Sequence, residues 1–166
     1  RKYSGARLKR RKLESAMTVV RPVFGKKAMV VASHPAAALA AWEVVQDGGS
    51  VVDAAVAGAS VLTVVLPQAC TLGGDAFALV HDAHNRTTYG LNASGPAPRA
   101  ASPAYYAAGI PQRGALSCSV PGIVGGWHAL YKKFGRLPWA RLFDRAIQFC
   151  DEGFPVSPGL ARAAEV

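Results

Sequence analysis

The sequence has 166 residues, of which 51% are hydrophobic and 17% are charged. This length suits one globular domain, and the composition excludes an intrinsically disordered chain and a coiled coil. Three cysteines are too few for a disulfide-stapled miniprotein. The 17 glycines and 11 prolines show no collagen-like period and predict many tight turns.

The net charge of +9 is concentrated at the start of the chain. Residues 1–27 hold ten lysines and arginines and one acidic residue, Glu14, whereas residues 28–166 carry no net charge. We predict that residues 1–27 form a disordered basic arm or a tag, with Met17 as a candidate natural start. Such an arm can bind phosphate polymers, but it has one aromatic residue, Tyr3, and no base-reading motif. These features argue against a nucleic-acid partner.

The cysteines and the arm also predict a compartment. The arm has no apolar stretch of the kind that a secretory signal requires. Cys70, Cys118 and Cys150 are widely spaced, form no C-x-x-C pair and have apolar neighbours, which predicts buried, reduced thiols. We therefore expect a cytoplasmic protein.

The first predicted elements follow the arm. The apolar run Ala28–Ser33 predicts a buried strand. An alanine-rich helix over Ala36–Asp47 is predicted to begin just after Pro35. Ser50 is a typical N-cap for a second helix over Val51–Leu66. The thirteen uncharged residues of that helix are too few to span a membrane.

A hairpin and further helices come next. The segments Phe77–Asp82 and Thr87–Asn92 predict antiparallel strands around a turn at 83–86, after a loop over residues 68–75. The rest of the pattern predicts an irregular segment over 94–103, a short helix from Pro103 to Gly109, an extended stretch over Leu116–Val120, helices over Pro121–Phe134 and Pro138–Asp151, and a helix start near the end of the chain. These elements indicate one α+β domain over residues 28–166.

Two features are candidates for chemistry. Gly73-Gly74-Asp75 precedes a strand, and is either a plain turn or a turn that lets the backbone approach a ligand. Asp53 lies in the first turn of a helix, where a favourable interaction with the helix dipole competes with a catalytic role.

No metal site, cofactor or complete catalytic site is predicted from the residues alone. His81 and His84 fall on a strand and a turn, where their side chains do not converge on one ion. The chain contains no nucleophile elbow, no Walker loop and no dinucleotide fingerprint.

Several segments nevertheless resemble the gamma-glutamyltransferase (gamma-glutamyltranspeptidase) family, in the family's order along the chain. Each motif is loose by itself, and together they cover nearly all of residues 28–166. In this sequence they read MVVASHP from Met29, DGGSVVDAAVA from Asp47, LPQACTLGGDAFALVHD from Leu66, SVPGIVGGW from Ser119, FGRLPW from Phe134 and EGFPVSP from Glu152.

The resemblance implies an N-terminal-nucleophile (Ntn) hydrolase with an αββα sandwich, of which this chain forms an incomplete part. A precursor of this family cleaves itself into a large and a small subunit. The new amino-terminal threonine of the small subunit then attacks an amide carbonyl. The acyl group passes to water or to an acceptor amine.

The chain resembles the N-terminal portion of the large subunit, so the resemblance places the nucleophile outside it and no catalytic residue within it. The implied partners are the small subunit and a small-molecule amide, with no cofactor and no membrane. Homo-oligomers are compatible with the resemblance. Glutathione metabolism is the family's usual setting.

Two departures from the family pattern bear on the substrate. Members that act on gamma-glutamyl groups carry an arginine for the substrate carboxylate, and Ser94 stands at that position, close to Asn92. A hydroxyl cannot form the charged, two-pronged contact that arginine offers a carboxylate. Asp75 stands where many members have a third glycine. Both features resemble the cytoplasmic gamma-glutamyltransferase-like amidohydrolases and argue against glutathione as the substrate.

An alternative from another class stays open at this point. The chain would then be a non-catalytic, truncated remnant, or an interaction module whose basic arm touches an acidic partner. The enzyme hypothesis needs further sequence with a threonine that becomes amino-terminal, whereas the remnant hypothesis needs a stop soon after Val166.

Overall fold

The computed structural model describes residues 22–165, so most of the predicted basic arm lies outside the described residues. Seven regular elements follow in chain order: α1 (Pro35–Gln46), α2 (Val51–Val65), β1 (Ala76–Asp82), β2 (Thr87–Ala93), α3 (Ile123–Phe134), α4 (Asp144–Glu152) and α5 (Pro158–Ala164). Short 3-10 turns cover Ala115–Ser117 and Trp139–Phe143. The predicted α+β class is confirmed.

Helices α1 and α2 form a closely packed pair, and each begins at a defined cap. The His34 side chain accepts a hydrogen bond from the Ala36 amide at the start of α1. Ser50 caps α2 by accepting from the Asp53 amide at 3.0 Å. Gly58 allows the close approach, since a Cβ there would lie 3.2 Å from the Ala37 carbonyl oxygen.

The core lies between this helix pair and the second half of the chain. Trp127 of α3 and Leu142 of the second 3-10 turn are 4% and 2% exposed, and both pack against α2 residues. Burying one such side chain stabilises the fold by about 1.5–3 kcal/mol. The first cluster of buried residues comprises Ala41, Val44, Val52, Ala54, Val56, Ala57, Ile123, Trp127 and Leu142. The second comprises Ala37, Ala40, Val61, Val65 and Ala146.

The hairpin of β1 and β2 has one covered face and one open face. The strands are antiparallel, with Phe77 opposite Asn92 and Leu79 opposite Gly90. Alternate residues face α3, and a Cβ at Gly126 would collide with the Ala93 side chain. The other face is open, because Phe77 is 69% exposed and Leu79 is 82% exposed. This face and the loops at one end of the hairpin bound the candidate site.

The predicted strand over Ala28–Ser33 is wrong. Residues 28–32 have no regular structure, and Val31 is 88% exposed. A strand is held by hydrogen bonds to a neighbouring strand. Within residues 22–165 the sheet consists of β1 and β2 alone, so this segment has no strand beside it.

The predicted helix from Pro103 to Gly109 is a series of turns instead. The Tyr105 amide donates to the Ser102 carbonyl, and the Gly109 amide donates to the Tyr106 carbonyl. A seven-residue segment does not offset the cost of nucleating a helix without packing support. The predicted extended stretch over Leu116–Val120 begins inside a 3-10 turn, which the Ser117 amide closes onto the Gly114 carbonyl.

The helix predicted over Pro138–Asp151 is divided in two. Residues Trp139–Phe143 wind as a 3-10 turn, and the α-helix begins at Asp144. The tighter winding places Leu142 in the core while the Trp139 ring packs on Tyr131, with 5.0 Å between ring centroids. The prediction of α3 was two residues too long at its start, because Pro121 and Gly122 precede it.

The prediction of buried thiols is also wrong. All three cysteines are free, but Cys118 and Cys150 are exposed and Cys70 is half-buried. Cys118 follows the first 3-10 turn and Cys150 lies in the last turn of α4. Both side chains therefore lie at the surface of the described part of the chain, since apolar neighbours in sequence do not by themselves bury a residue.

Candidate functional site

Three segments that are distant in sequence meet at one end of the hairpin. We call residues 73–75, 92–96 and 120–123 the loop cluster. The Gly74 carbonyl accepts hydrogen bonds from the Gly122 amide at 3.1 Å and the Ile123 amide at 3.0 Å. The Val120 amide donates to the Pro96 carbonyl at 3.0 Å. These bonds tie the start of β1, the end of β2 and the start of α3 together.

Asp75 holds the segment after β2 in place. One oxygen of its carboxylate, Oδ1, accepts a hydrogen bond from the Gly95 amide at 2.9 Å. The other oxygen, Oδ2, lies 3.5 Å from the Ser94 hydroxyl. No ion pair within residues 22–165 involves Asp75. The loop cluster therefore carries an exposed negative charge beside Ser94.

The predicted site residues Asn92 and Ser94 lie beside this carboxylate. The Ser94 amide donates to the Asn92 side-chain oxygen at 2.9 Å, which fixes the turn after β2. Both side chains are exposed. Asn92 is also paired with Phe77 across the hairpin, so it lies where the loop cluster meets the open face of the sheet.

Gly73 and Gly74 form a turn, as one of the two interpretations of the sequence expected. The Gly73 amide donates to the Thr71 hydroxyl at 3.2 Å, and the Gly74 amide donates to the Thr71 carbonyl at 3.1 Å. Neither glycine has a positive φ. The structure thus brings the predicted Gly73, Gly74, Asp75, Asn92 and Ser94 into one cluster.

Close packing inside the loop cluster depends on two glycines that sequence reasoning missed. A Cβ at Gly95 would collide with the Val120 carbonyl, and a Cβ at Gly122 would collide with the Ala93 carbonyl. Both glycines let two backbone segments lie side by side. Gly122 lies in the motif from Ser119, and Gly95 follows Ser94 directly. Nothing in the spacing of these two glycines indicates that their segments lie side by side.

Asp53 lies away from this cluster and has a structural role. Its side chain is completely buried, and its Oδ2 accepts hydrogen bonds from the amides of Ser50, Arg136 and Leu137. The distances from Oδ2 to the Ser50 and Arg136 nitrogens are 2.9 Å and 2.8 Å. The helix-start role expected from the sequence is confirmed. The bonds to the loop after α3 were not foreseen, because a contact over 83 positions leaves no local signal.

His81 and His84 make separate contacts at the turn of the hairpin. His81 Nδ1 lies 3.0 Å from the Thr88 hydroxyl, and the His84 amide donates to Asp82. Throughout the described part of the chain, no group of three or more metal-ligating side chains occurs. Among these same residues, no helix has the length and apolar character needed to cross a membrane.

Away from the loop cluster, a polar groove lies between α1 and the segment formed by the second 3-10 turn and α4. Ion pairs occupy this groove. Arg145 donates to Glu43 through Nε at 2.7 Å, and Arg141 bonds Asp47 and Asp144. The hydrogen bond to Glu43 raises the pKa of Arg145, and the hydrogen bond to Asp47 raises the pKa of Arg141. Each guanidinium in this groove is already paired, which is typical of a contact that joins two helices.

The chain matches the sequence model of the family described as gamma-glutamyltranspeptidase over residues 37–166. It is 37% identical over 146 residues to the glutathione hydrolase-like YwrD proenzyme of Bacillus subtilis, covering 86% of this chain and 28% of that protein. It is 38% identical over 122 residues to glutathione hydrolase 3 of Arabidopsis thaliana, covering 72% of this chain and 19% of that protein.

The fold is also similar to solved structures of a gamma-glutamyltranspeptidase and of an acylase. The fold superimposes on the gamma-glutamyltranspeptidase of Helicobacter pylori with a TM-score of 0.81 and 32% identity, covering 87% of this chain and 43% of that one. The cephalosporin acylase of Bacillus halodurans gives a TM-score of 0.72 and 38% identity, covering 86% of this chain and 28% of that one. The sequence spans less than half the length of each of these relatives.

Proposed function

The chain belongs to the gamma-glutamyltranspeptidase family, and from that membership we propose that it is the N-terminal portion of the large subunit of an autoprocessed amide hydrolase or acyl transferase. The family model matches 37–166, which is most of the chain. Three of the relatives matched by sequence are named proenzymes, which supports synthesis as a precursor. The reaction class is the transfer of an acyl group from an amide to water or to an amine.

The proposed division of labour follows from what these residues contain. The attacking group is an amino-terminal threonine on a small subunit, outside these 166 residues. Its own α-amine takes the hydroxyl proton, so that the oxygen can attack the amide carbonyl. Backbone N–H groups then stabilise the oxyanion that forms. The described residues contribute a helix layer, a hairpin and one wall of the acyl pocket.

We assign that wall to the loop cluster. The observation that carries the assignment is that two of the motifs shared with the family, those from Leu66 and from Ser119, meet there with the segment around Ser94, although all three are far apart in the sequence. The Gly74 carbonyl joins the motif from Leu66 to the motif from Ser119, and Asp75 joins the motif from Leu66 to the segment at Ser94. Asn92 and Ser94 are the proposed substrate-facing side chains, with Gly73, Gly74 and Asp75 as the supporting turn.

The substrate we propose is a small amide other than glutathione. Ser94 is neutral and stands where gamma-glutamyl-specific members have an arginine. Losing that charged contact costs more than about 1 kcal/mol of binding to a carboxylate. The relatives include a cephalosporin acylase as well as glutathione hydrolases, so the family accommodates more than one acyl group. The cytoplasmic location and any homo-oligomer stay predictions.

The intact masses of all species in the purified full-length gene product test this function. We expect a precursor that converts into two chains, the lighter of which begins with threonine. As a control, replacing that threonine by alanine is expected to leave the precursor uncleaved. A full-length product that stays a single chain, with no threonine exposed, would contradict the proposal and support the non-catalytic alternative.

A further inference from the structure

Asp75 places a fixed negative charge at the centre of the loop cluster. Its Oδ1 is bound to the Gly95 amide at 2.9 Å, so the carboxylate cannot swing away from Ser94 without losing a charged hydrogen bond. Its Oδ2 lies 3.5 Å from the Ser94 hydroxyl. No lysine, arginine or histidine of residues 22–165 forms an ion pair with it.

A substrate carboxylate would meet this charge directly. If it accepted a hydrogen bond from the Ser94 hydroxyl, its oxygens would lie within a few ångströms of Asp75 Oδ2, since the hydroxyl itself is 3.5 Å away. Two carboxylates at such a distance repel each other. A neutral or cationic group at the same place avoids the repulsion and can donate a hydrogen bond to Asp75.

We propose that Asp75 is a specificity-determining residue that excludes a carboxylate from the subsite beside Ser94. The subsite takes an acyl group that is uncharged there or that donates hydrogen bonds, such as an amine or an amide. Asn92 fits the same chemistry, because its oxygen is engaged by the Ser94 amide and its remaining amide group is a neutral donor. This inference rests on the proposed function, since it requires that the loop cluster face the substrate.

A consequence follows for Ser94 itself. An arginine introduced at position 94 would stand next to Asp75 and would pair with it, because opposite charges this close attract. The substitution Ser94→Arg by itself should therefore create little affinity for a carboxylate. An arginine becomes available to the substrate only when the charge of residue 75 is removed as well.

The test compares two p-nitroanilides in the complete, processed protein. L-γ-Glutamyl-p-nitroanilide and 4-aminobutanoyl-p-nitroanilide differ only in the α-carboxylate. We expect the wild type to prefer the second, and Asp75→Asn to shift the ratio of kcat/KM toward the first by about tenfold or more. Asparagine keeps an acceptor for the Gly95 amide. The double variant Asp75→Asn/Ser94→Arg should shift the ratio further, and Ser94→Arg alone should change it little.

Asp82→Asn is the matched control, because it removes the same charge at the opposite end of β1 and should leave the ratio unchanged. If Asp75→Asn is processed and active but keeps the wild-type ratio, the inference is overturned and the proposed function stands. If Asp75→Asn does not fold, the kcat/KM ratios of Ser94→Arg and Ser94→Ala on the two anilides are compared with that of the wild type instead. A large gain in kcat/KM on the γ-glutamyl substrate from Ser94→Arg alone would contradict the inference, because an arginine paired with Asp75 should not be available to the substrate carboxylate. Failure of the wild type to process itself or to cleave either anilide would overturn the proposed function and the inference together.

Discussion

At the scale of single residues, Asp53 joins two segments that are 83 positions apart. One of its oxygens accepts three backbone amides, from Ser50, Arg136 and Leu137. Among the described residues, its other oxygen is buried without a hydrogen-bond partner. A charged acceptor that serves several amides is costly to remove, because the amides stay buried.

We therefore expect Asp53→Ala to lower the free energy of unfolding of the complete protein by about 3 kcal/mol or more. Urea unfolding followed by circular dichroism measures the change. The matched control is Ser50→Ala, which removes the reciprocal half of the same cap and should cost about 1 kcal/mol. Equal effects of the two substitutions would show that the bonds to Arg136 and Leu137 contribute little.

The sequence showed Asp53 as a residue of the first helical turn, and that part was correct. The loop cluster shows the limit of such reasoning. Gly73, Gly74 and Asp75 could be recognised as a turn from their types alone. The hydrogen bonds from the amides of Gly122 and Ile123 to the Gly74 carbonyl could not be recognised in this way. Neither segment carries a local signal that points to the other.

At the scale of elements, local caps account for what could be predicted. Helices α1 and α2 were placed to within about one residue, because Pro35 and Ser50 mark their starts. The hairpin was placed equally well by its alternating pattern and turn. The strand expected at residues 28–33 failed because a strand needs a partner, and apolar composition alone does not supply one.

Helices α1 and α4 are joined by a partly exposed ion pair whose contribution should be small. Arg145 bonds Glu43 through two nitrogens, with 40% of its side chain exposed. We expect Arg145→Ala to destabilise the complete protein by about 0.5–1 kcal/mol, and by less at high salt, because solvent screens exposed pairs. Thermal unfolding at low and high ionic strength measures this, with Arg162→Ala on α5 as the control for a lost positive charge.

The pH dependence of this pair follows from the direction of the shift. The hydrogen bond to Glu43 raises the pKa of Arg145. A group whose pKa is raised on folding stabilises the fold at every pH below its unfolded value and loses that contribution as pH rises through the folded value. Arginine titrates far above neutral pH, so its side of the pair should add no pH dependence at neutral pH. A change in the Arg145→Ala effect between pH 7 and 9 would contradict this assignment.

At the scale of the whole molecule, the described residues leave apolar surface without cover. Phe77 and Leu79 on the open face of the hairpin are 69% and 82% exposed, and Val31 is 88% exposed. A two-stranded sheet is marginally stable by itself, and its outer edges offer unpaired backbone groups to other chains. In an αββα sandwich such a face packs on a second sheet, which agrees with the proposal that further sequence completes the fold.

We therefore predict that the 166-residue chain by itself self-associates or stays partly unfolded. Size-exclusion chromatography with light scattering should show aggregates or an expanded monomer, and a dye that binds exposed apolar surface should fluoresce strongly with it. The double substitution Phe77→Lys/Leu79→Lys should reduce self-association, since it replaces the apolar side chains of the open face with charges. The matched control Lys26→Ala/Lys27→Ala changes exposed residues outside the hairpin and should leave self-association unchanged. A sharp, reversible thermal transition at a temperature independent of concentration would contradict the prediction, because it would show that these residues fold without a cover for this face.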